Sequence, residues 1–451
     1  MAESLLTRRV ETIRRLARRG ALPALAKVVA STRAEDLAAA MQHLGRAEQR
    51  AVFSTVRSDA VAADVLTRVA HEDFRALVGD LPVERLVRLF SEMEADDQTD
   101  LIALLPDEKK ESVLARLHGD ERQTMEELLG YAPDTAGGIM SPVAFRLRDD
   151  STCRDAIAAV QEASDHELVY YAYVENEAGQ LVGVTSLRNL LTHSPSARLA
   201  DFMSTDVIAV EAHTDQEKVA RIAGRYDLLA VPVVDEHRKL LGIVTVDDVI
   251  DVIREEAAED MLLMAGVGEE ASDPARGKKL HAVARRLPWL LVTLVGGVLI
   301  SEIIRHYSGV MKAELILAGF IPMLTGMQGN VGIQSATLTV RNIAMGRLDN
   351  GVLAVVIAEV LTGMILGLIF AVCIGAFCLL RYGNLGVALA VGLAVITGTT
   401  CAALMGTLVP LTLRRVGVDP AVATGPFVTT GMDGIGVTIY LAIASLLLAR
   451  L

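Results

Sequence analysis

Five long apolar stretches in the C-terminal part of the chain constrain its fold more than any other feature. They occupy residues 288–306, 313–341, 351–380, 385–413 and 420–449. A helix needs ~20 predominantly apolar residues to cross the ~30 Å hydrocarbon core of a bilayer. The stretches are too long and too apolar to be core helices of a soluble domain. The sequence therefore predicts a transmembrane domain of about five spans over residues 285–451.

Basic residues in the short connections predict the orientation of this domain, because Lys and Arg are enriched in cytoplasmic loops. They precede the first span and follow the second and fourth, at Lys278, Lys279, Arg285, Arg286, Arg341, Arg347, Arg414 and Arg415. The first residues, MAESLLTRRVETIRR, lack the apolar core of a signal peptide. We expect a multi-pass protein of the cytoplasmic membrane, with its N-terminus inside and, after an odd number of spans, its C-terminus outside.

The residues before Pro288 are strongly acidic. The chain has 56 acidic and 43 basic side chains, of which only 6 and 8 lie from Pro288 onwards, so the first part carries a net charge of about −15. Such a charge attracts cations and disfavours nucleic acid and anionic lipid, although plain solubility explains it equally well. The four cysteines form no CxxC pair, so neither a disulfide framework nor a zinc site is expected.

Asp433, within the fifth apolar stretch, is the strongest candidate for an ion-binding group. It lies in TGPFVTTGMDGIG, residues 424–436. An acid at this depth costs at least ~2.5–3.5 kcal/mol on insertion scales, so it has to face a cavity or a partner. A pair with Lys or Arg is the structural alternative, but the spans contain no evident basic partner. Glu359, in the third stretch, has fewer polar neighbours, and a structural role explains it as well.

The second apolar stretch contains a segment rich in glycine and amides, GMQGNVGIQS at residues 326–335. We interpret it as a break in the helix at mid-membrane, because backbone freed from a helix in lipid has to face protein or a water-filled cavity. Carbonyl groups of broken helices coordinate cations in membrane proteins. The other glycines of the spans are explained by close helix packing. The break and Asp433 together predict a polar path for cations.

Residues 1–132 have apolar residues at helical spacing, with repeated helix-start signals. Short, similar units predict a stack of helices that forms a soluble, acidic N-domain. One turn-rich part of it carries a cluster of acids, at Glu92, Glu94, Asp96, Asp97 and Asp100. For any single one of these acids, a solvated surface is the simpler explanation.

Two copies of a strand–helix–strand–strand–helix pattern follow, at 137–200 and 201–253, and LVGVTSLRNLL in the first recurs as LLGIVTVDDVI in the second. The repeat resembles a tandem pair of CBS domains, which implies two βαββα folds. Paired CBS domains often bind adenosine nucleotides through a G-x-T/S-x-x-D element. Its counterparts in this chain are Ser186, Asn189, Thr245 and Asp248. Because Asn189 replaces the usual Asp, ATP binding and its absence both stay open.

An acidic connecting helix is predicted next, over residues 246–280. Six of its acids lie on or beside one helical face, at Asp248, Asp251, Glu255, Glu256, Glu259 and Asp260. Like charges on one face repel each other, and almost no basic residue compensates. Mg²⁺ is a hard cation that takes carboxylate oxygens and keeps several waters. We therefore expect this helix to bind Mg²⁺ just before the first span.

The order of the parts resembles the MgtE family of magnesium channels and transporters. The most specific shared segments are GNVGIQSAT, VGVDPA and PFVTTGMDGIGVTIY. Family sequences usually read GMGGN-x-G-N-Q, so Gln328 and Ile333 are departures. The resemblance implies a homodimer in the lipid membrane with a pore on its two-fold axis. It also implies a Mg²⁺-selective uptake channel that closes when cytosolic Mg²⁺ binds to its acidic domains.

The resemblance further implies two kinds of Mg²⁺ site. In the pore, Asp433 of each subunit would bind hydrated Mg²⁺, with Asn330 and the backbone near Gly329 beside it. The gate-closing ions would bind between the cytosolic domains and the connecting helix. Their implied ligands are Asp215, Glu217, Asp227, Asp248, Asp251, Glu256, Glu259, Asp260, Asp419 and acids near Glu92 and Asp96, and the spacing adds Glu255.

Other functions fit parts of the sequence. A CBS-regulated carrier for Co²⁺, Mn²⁺ or Ni²⁺, or an ion-coupled exporter, shares most of its features. A membrane-tethered nucleotide sensor needs no acid within a span, so Asp433 disfavours it. The sequence has no evident nucleophile–base pair or closed metal site, so we expect no enzymatic activity. It does not separate a channel from a coupled carrier.

Overall fold

The structure is a computed structural model, and it describes residues 2–117, 119–162, 170–265, 279–313, 315–345 and 351–448. Its internal contacts divide the chain into two compact units, Met1–Arg254 and Glu255–Leu451. Each unit is described by itself.

The described residues up to Leu128 form short helices only. They are α1 (Ala2–Arg18), α2 (Leu22–Ala30), α3 (Ala34–Gln42), α4 (Arg46–Ser54), α5 (Asp59–Arg68), α6 (His71–Val78), α7 (Val83–Phe90), α8 (Ala95–Ala103), α9 (Asp107–Leu114) and α10 (Gly119–Leu128). Helices two apart along the chain pack on each other, as α3 does on α5 and α5 on α7. Buried Leu37, Leu66, Leu86 and Ile102 form part of their shared core. The predicted stack of helices is thus present.

Two three-stranded sheets follow, and each has the predicted βαββα order. The first copy contains β1 (Arg146–Arg148), α11 (Cys153–Glu162), β2 (Tyr171–Glu175), β3 (Leu181–Ser186), α12 (Leu187–Thr192) and α13 (Leu199–Phe202). The second contains β4 (Val210–Glu211), α14 (Gln216–Tyr226), β5 (Ala230–Val234), β6 (Leu240–Thr245) and α15 (Val246–Met264). In each copy the first strand is parallel to the second, and the second is antiparallel to the third.

The segment that leads into each copy pairs with the sheet of the other copy. Ser141, ahead of β1, bridges Ile243 in β6, and Ser204, ahead of β4, bridges Val184 in β3. Glycines permit both crossings, because a Cβ on Gly242 would overlap the Ser141 carbonyl oxygen. This exchange of segments joins the two copies.

The second unit contains the membrane helices. They are α16 (Lys279–His306), α17 (Ser308–Ala313), α18 (Ile321–Ala344), α19 (Val352–Tyr382), α20 (Leu385–Arg415) and α21 (Pro426–Leu448), with 3-10 helices at Leu315–Phe320 and Pro420–Thr424. Among the described residues, five segments are long and apolar enough to cross a membrane, as the sequence predicts. They are Arg286–His306, Leu315–Ala344, Val352–Tyr382, Leu385–Arg415 and Phe427–Leu447. α20 packs on α18, α19 and α21, and so forms the centre of this unit.

The break predicted within GMQGNVGIQS is wrong, because α18 runs unbroken through it. The irregular backbone comes earlier, in the 3-10 turn Leu315–Phe320, and Pro322 lies in the first helical turn, where proline is tolerated. An unbroken helix satisfies its own backbone hydrogen bonds, which lipid cannot satisfy. The glycines instead allow close packing: a Cβ on Gly406 of α20 would overlap the carbonyl oxygen of Gly332.

Candidate cation-binding sites

Asp433 lies on α21, half-buried, opposite the glycines of α18. A Cβ built on Gly329 would stand 3.9 Å from the Asp433 Oδ1 atom, so a backbone without a side chain faces the carboxylate. None of the salt bridges formed by the described residues involves Asp433. The structural alternative, an ion pair with Lys or Arg, is therefore not observed in the described part of the chain. An intramembrane acid of this kind needs water or a cation.

Asn330, the other predicted pore residue, belongs to an exposed stripe on α18. Small and polar residues recur at helical spacing along it, at Gly326, Asn330, Gln334, Thr337 and Arg341, and each is exposed in the single chain. Polar side chains on a membrane helix are costly against lipid and normally face protein or a water-filled cavity. The stripe therefore calls for a polar environment, because its residues are exposed beside the other described helices of this unit.

Glu359 has a partner within the protein. The Ser335 hydroxyl of α18 donates a hydrogen bond to Glu359 Oε2 on α19 at 2.8 Å, and Ser335 is only 4% exposed. This bond joins two spans. The geometry agrees with the structural role that the sequence left open for Glu359.

A second group of acids lies at the start of two helices in the first unit. Asp96 and Asp97 occupy the first turn of α8, and Asp248 occupies the first turn of α15. Helix N-termini favour negative charge, so both helices attract carboxylates to the same region. Asp248 accepts hydrogen bonds from the backbone N–H of Thr245, at 3.2 Å, and from the Thr245 hydroxyl, which fix its position.

The three carboxylates perturb each other. Burial is the largest cause that raises the pKa of Asp96 well above its ordinary value, and the nearby charge of Asp248 adds to it. Burial, again with Asp248, raises the pKa of Asp97 to about 7, although the Asp97 side chain still reaches solvent. Burial also raises the pKa of Asp248 to about 6, against the effect of its bonds to Thr245. The charge of Arg68 lowers the pKa of Asp97 in part, and the cluster still has a deficit of positive charge, which a proton or a cation would supply.

Asp96 shows this deficit most directly. Its side chain is 8% exposed, and its Oδ1 atom is buried with no hydrogen-bond partner among the described residues. The described residues contain no group of three acids, histidines or cysteines that closes around a metal ion. Hydrated Mg²⁺ does not need such a closed group, because it keeps several waters and binds through one or two carboxylates.

The acids predicted around α14 do not form one site within the chain. Asp215 caps the start of α14 by accepting from the N–H groups of Glu217 and Lys218 at 3.0 and 3.3 Å, and Asp227 follows its last turn with φ 51°. At ~1.5 Å per residue the two lie about 18 Å apart. Glu217 forms an ion pair with Arg221 at 3.0 Å. A shared ion would therefore need groups from elsewhere.

The acids of the connecting helix are less isolated than predicted. Arg254 forms an ion pair with Asp251 at 3.2 Å, so the expectation that almost no basic residue compensates is wrong at this position. Both side chains are more than 70% exposed, so the pair contributes little to stability. Glu255 is exposed, and Glu256, Glu259 and Asp260 are half-buried. The part of the predicted range beyond residue 265 lies outside the described residues until 279.

The end of α15 reaches the membrane helices of its own unit. Leu263 packs with Val340 of α18 and with Ala421 of the 3-10 turn before α21. Asp419 caps that turn by accepting from the Ala421 N–H at 2.7 Å, and its side chain is exposed. Glu92, in the first unit, is exposed as well. The connecting helix thus touches the span that carries Asn330 and the turn that precedes the span with Asp433.

The predicted nucleotide-binding residues act as helix caps. Ser186 accepts from the Asn189 N–H at 3.2 Å at the start of α12, and Thr245 bonds Asp248 at the start of α15. A cavity of about 170 Å³ lies between the two copies, and its lining includes Tyr171, Tyr173, Ser204, Asp206, Leu228 and Pro232. None of the four predicted residues lines it. The buried Tyr173 hydroxyl, next to it, has no hydrogen-bond partner within the described residues.

Two features of the site were not predicted from the sequence, namely Asp97 as a site residue and the proximity of Asp96 and Asp97 to Asp248. Asp97 was part of the acidic cluster but was not predicted as a site residue, and its place beside Asp96 in a first helical turn could have indicated it. The contact of that turn with Asp248 joins residues about 150 positions apart, and no local pattern predicts it.

Comparisons with known proteins agree with this arrangement. Three family profiles match: divalent cation transporter (MgtE) at residues 321–443, MgtE intracellular N domain at 32–134, and CBS domain at 199–255. The magnesium transporter MgtE of Enterococcus faecalis is 40% identical over 330 residues, 72% of either chain. That of Thermus thermophilus is 34% identical over 434 residues, 94% of this chain and 95% of the relative.

A solved structure is similar as well. The cytosolic domain of the Mg²⁺ channel MgtE, crystallised in complex with ATP, is 34% identical, with a TM-score of 0.51 over 54% of this chain and 99% of that one. Together, the matched profiles and the long alignments cover the N-domain, the CBS repeat and the spans. The chain therefore belongs to the MgtE family of divalent cation transporters.

Proposed function

We propose that the chain is a Mg²⁺-selective channel that mediates Mg²⁺ uptake across the cytoplasmic membrane and is closed by cytosolic Mg²⁺. The observation that supports this best is Asp433, an acid within a membrane helix that faces Gly329 and has no ion pair within the described residues. Relatives named as magnesium transporters support the choice of ion. The N-terminus would be inside and the C-terminus outside, and no chemical reaction would be catalysed.

The pore is proposed to form between two copies of the chain. The exposed stripe with Asn330 needs a polar environment, and a second copy around a two-fold axis would enclose it in water. Asp433 of both subunits would then provide two negative charges for one divalent ion. Mg²⁺ loses its waters reluctantly, so a wide site that binds the hydrated ion suits it.

Closure is proposed to start at Asp96, Asp97 and Asp248, with the acids of the connecting helix and Asp419 as further ligands. Burial and neighbouring negative charges raise the pKa values of these three carboxyls. A bound Mg²⁺ would supply the positive charge that stabilises their ionised forms. α15 carries the signal, because Leu263 at its end contacts α18 and the turn that leads into α21. A differential affinity of ~1–3 kcal/mol per ion is enough to shift a two-state gate. Asp215, Glu217 and Asp227 would contribute through contacts with a second copy.

ATP is proposed to bind the CBS pair, since the related cytosolic domain was crystallised with it. The cavity lined by Tyr173 is the proposed place for it, while Ser186, Asn189, Thr245 and Asp248 remain candidate contacts that do not line this cavity. The domain boundaries are proposed as predicted: 1–132, 137–200, 201–253, 246–280 and 285–451.

The pore proposal is tested by Mg²⁺ flux into liposomes that contain the full-length protein. We expect Asp433→Ala to lower the flux about 100-fold, because the pore then lacks its charges. The matched control is Glu359→Gln, since Glu359 is another acid within the described spans and its carboxylate accepts a hydrogen bond from Ser335. Unchanged flux and selectivity in Asp433→Ala would rule the pore assignment out.

A coupled carrier for Co²⁺, Mn²⁺ or Ni²⁺ is the second candidate. Gln328 supports it, because it replaces a glycine that is usual in the family and is the neighbour of Gly329, which faces Asp433. The same liposomes separate the two. A channel passes Mg²⁺ down its gradient at a rate that a pH or Na⁺ gradient leaves unchanged, whereas a coupled carrier slows when that gradient is removed.

A further inference from the structure

Gln328 on α18 is a buried amide whose polar atoms have no hydrogen-bond partner. The residue is 1% exposed, and both its Oε1 and its Nε2 atoms are buried without a partner in the described part of the chain. Among the described spans, the Thr430 hydroxyl is also buried without a partner, and Gln328 is the side chain with two such atoms. Gln328 therefore differs from the buried Thr339 of the same helix, whose hydroxyl donates to the Ser335 carbonyl at 2.7 Å.

Two other helices make room for this amide. A Cβ on Gly398 of α20, or on Gly436 of α21, would overlap the Gln328 amide group. The amide thus lies directly against two backbones, at a junction of three spans. Only glycine fits at either facing position while Gln328 is there.

The junction is one helical turn from the acid. Gly436 follows Asp433 by three residues, so the two share a face of α21 about 5 Å apart along the axis. Gly329, the neighbour of Gln328, faces the Asp433 carboxylate at 3.9 Å from its Cβ position.

Packing alone does not explain Gln328. A buried amide without partners is destabilising, whereas an apolar side chain of the same length fills the same space without that cost. Buried polar groups are normally paired with protein or with ordered water. The partner that this site still needs is therefore water, and Asp433, one helical turn from Gly436, is an acid that would hold a hydrated cation in this region.

We propose that Gln328 is a specificity-determining residue, whose amide hydrogen-bonds a water of the hydrated cation at Asp433. The inference rests on the proposed function of Asp433. The amide oxygen accepts from a water of the ion's shell, and the amide N–H donates to a neighbouring water. This bond favours an ion that keeps its shell, as Mg²⁺ does, over Ca²⁺, which exchanges waters for flexible oxygen ligands.

The test is Gln328→Met in the full-length protein, with Mg²⁺ and Ca²⁺ fluxes measured in the same liposomes. Met keeps the length and removes both hydrogen-bonding atoms. We expect the Mg²⁺/Ca²⁺ flux ratio to fall about fivefold, the effect of one hydrogen bond, while the melting temperature in detergent stays the same or rises. Thr339→Val is the matched control, and its ratio should stay unchanged.

An unchanged ratio in Gln328→Met would overturn the proposal. If both Gln328→Met and Gln328→Leu fail to fold while Thr339→Val folds, the amide has a structural role and the proposal is again overturned. Failure of the proposed function looks different, because Asp433→Ala would then leave the Mg²⁺ flux unchanged. If only the present inference fails, Asp433→Ala abolishes the flux and Gln328→Met retains the ratio.

Discussion

The two acidic regions of this protein are built in opposite ways. The membrane unit places one acid, Asp433, half-buried against the backbone of Gly329. The first unit buries Asp96, Asp97 and Asp248 near further acids, so that burial and neighbouring negative charge raise the pKa of each. A conduction site has to release its ion quickly, which one open carboxylate per chain allows. A sensing site has to change state when the ion binds, and mutual repulsion makes its empty state unstable.

Neutralising the crowded region should have the largest effect on regulation. In Asp96→Asn/Asp97→Asn/Asp248→Asn, the repulsion that Mg²⁺ relieves is absent. We expect the Mg²⁺ concentration that halves the flux to rise at least tenfold, while the flux at low Mg²⁺ stays near that of the unmodified protein. The measurement is liposome flux against cytosolic-side Mg²⁺. The exposed surface acids Asp150→Asn and Glu177→Gln are the control, and equal shifts in both sets would refute the special role of the cluster.

The raised pKa values of Asp97 and Asp248 predict a smaller effect of pH. Both carboxyls stay protonated in the folded protein at pH values where the unfolded chain has released the proton, from about pH 4 up to about pH 6 and 7. The folded state binds more protons in that window, so the free energy of unfolding should fall as pH rises through it without divalent cations. Denaturant titrations of the full-length protein at pH 5 and pH 7.5 measure this.

Millimolar Mg²⁺ should weaken that dependence, because the ion takes the place of the protons. Mg²⁺ should also inhibit the flux more strongly at pH 7.5 than at pH 6. A stability that rises with pH over the same window, in the protein free of Mg²⁺, would contradict the account of the cluster.

ATP should have the smallest effect. We expect a rise of a few degrees in the melting temperature of the full-length protein at saturating ATP, by mass action. Tyr173→Phe removes the buried hydroxyl beside the cavity and should change the ATP-induced shift in melting temperature. It should not lower the melting temperature without ATP, since that hydroxyl has no partner within the described residues. No shift with ATP, in the presence of Mg²⁺ or without it, would rule out the nucleotide site.

Local patterns predict much of this fold. The five spans follow from apolar length, and the βαββα copies follow from a sequence repeat, so both are visible along the chain. The break in α18 was wrong because a glycine- and amide-rich segment indicates a loop in water. In lipid, the same segment keeps its helix, and its glycines admit α20 and α21.

The sites themselves depend on contacts between distant residues. Nothing near Asp96 indicates that Asp248 lies beside it, and nothing near Gln328 indicates Gly398 or Gly436. The resemblance implied both Asp215 and Asp227 as ligands of gate-closing ions, and the length of α14 separates them. Asp433 was predictable because a single acid in an apolar span is costly wherever its neighbours lie.

Flux of Mg²⁺ in oriented liposomes, with Mg²⁺ varied on each side separately, tests the central claim most directly. The comparison of the two acidic regions predicts that millimolar Mg²⁺ on the side of the N-terminus stops the flux, and that the same concentration on the opposite side does not. The triple Asn variant should conduct under both conditions. Inhibition that is equal from the two sides, or that persists in the triple variant, would contradict the claim that crowded cytosolic acids close a pore containing Asp433.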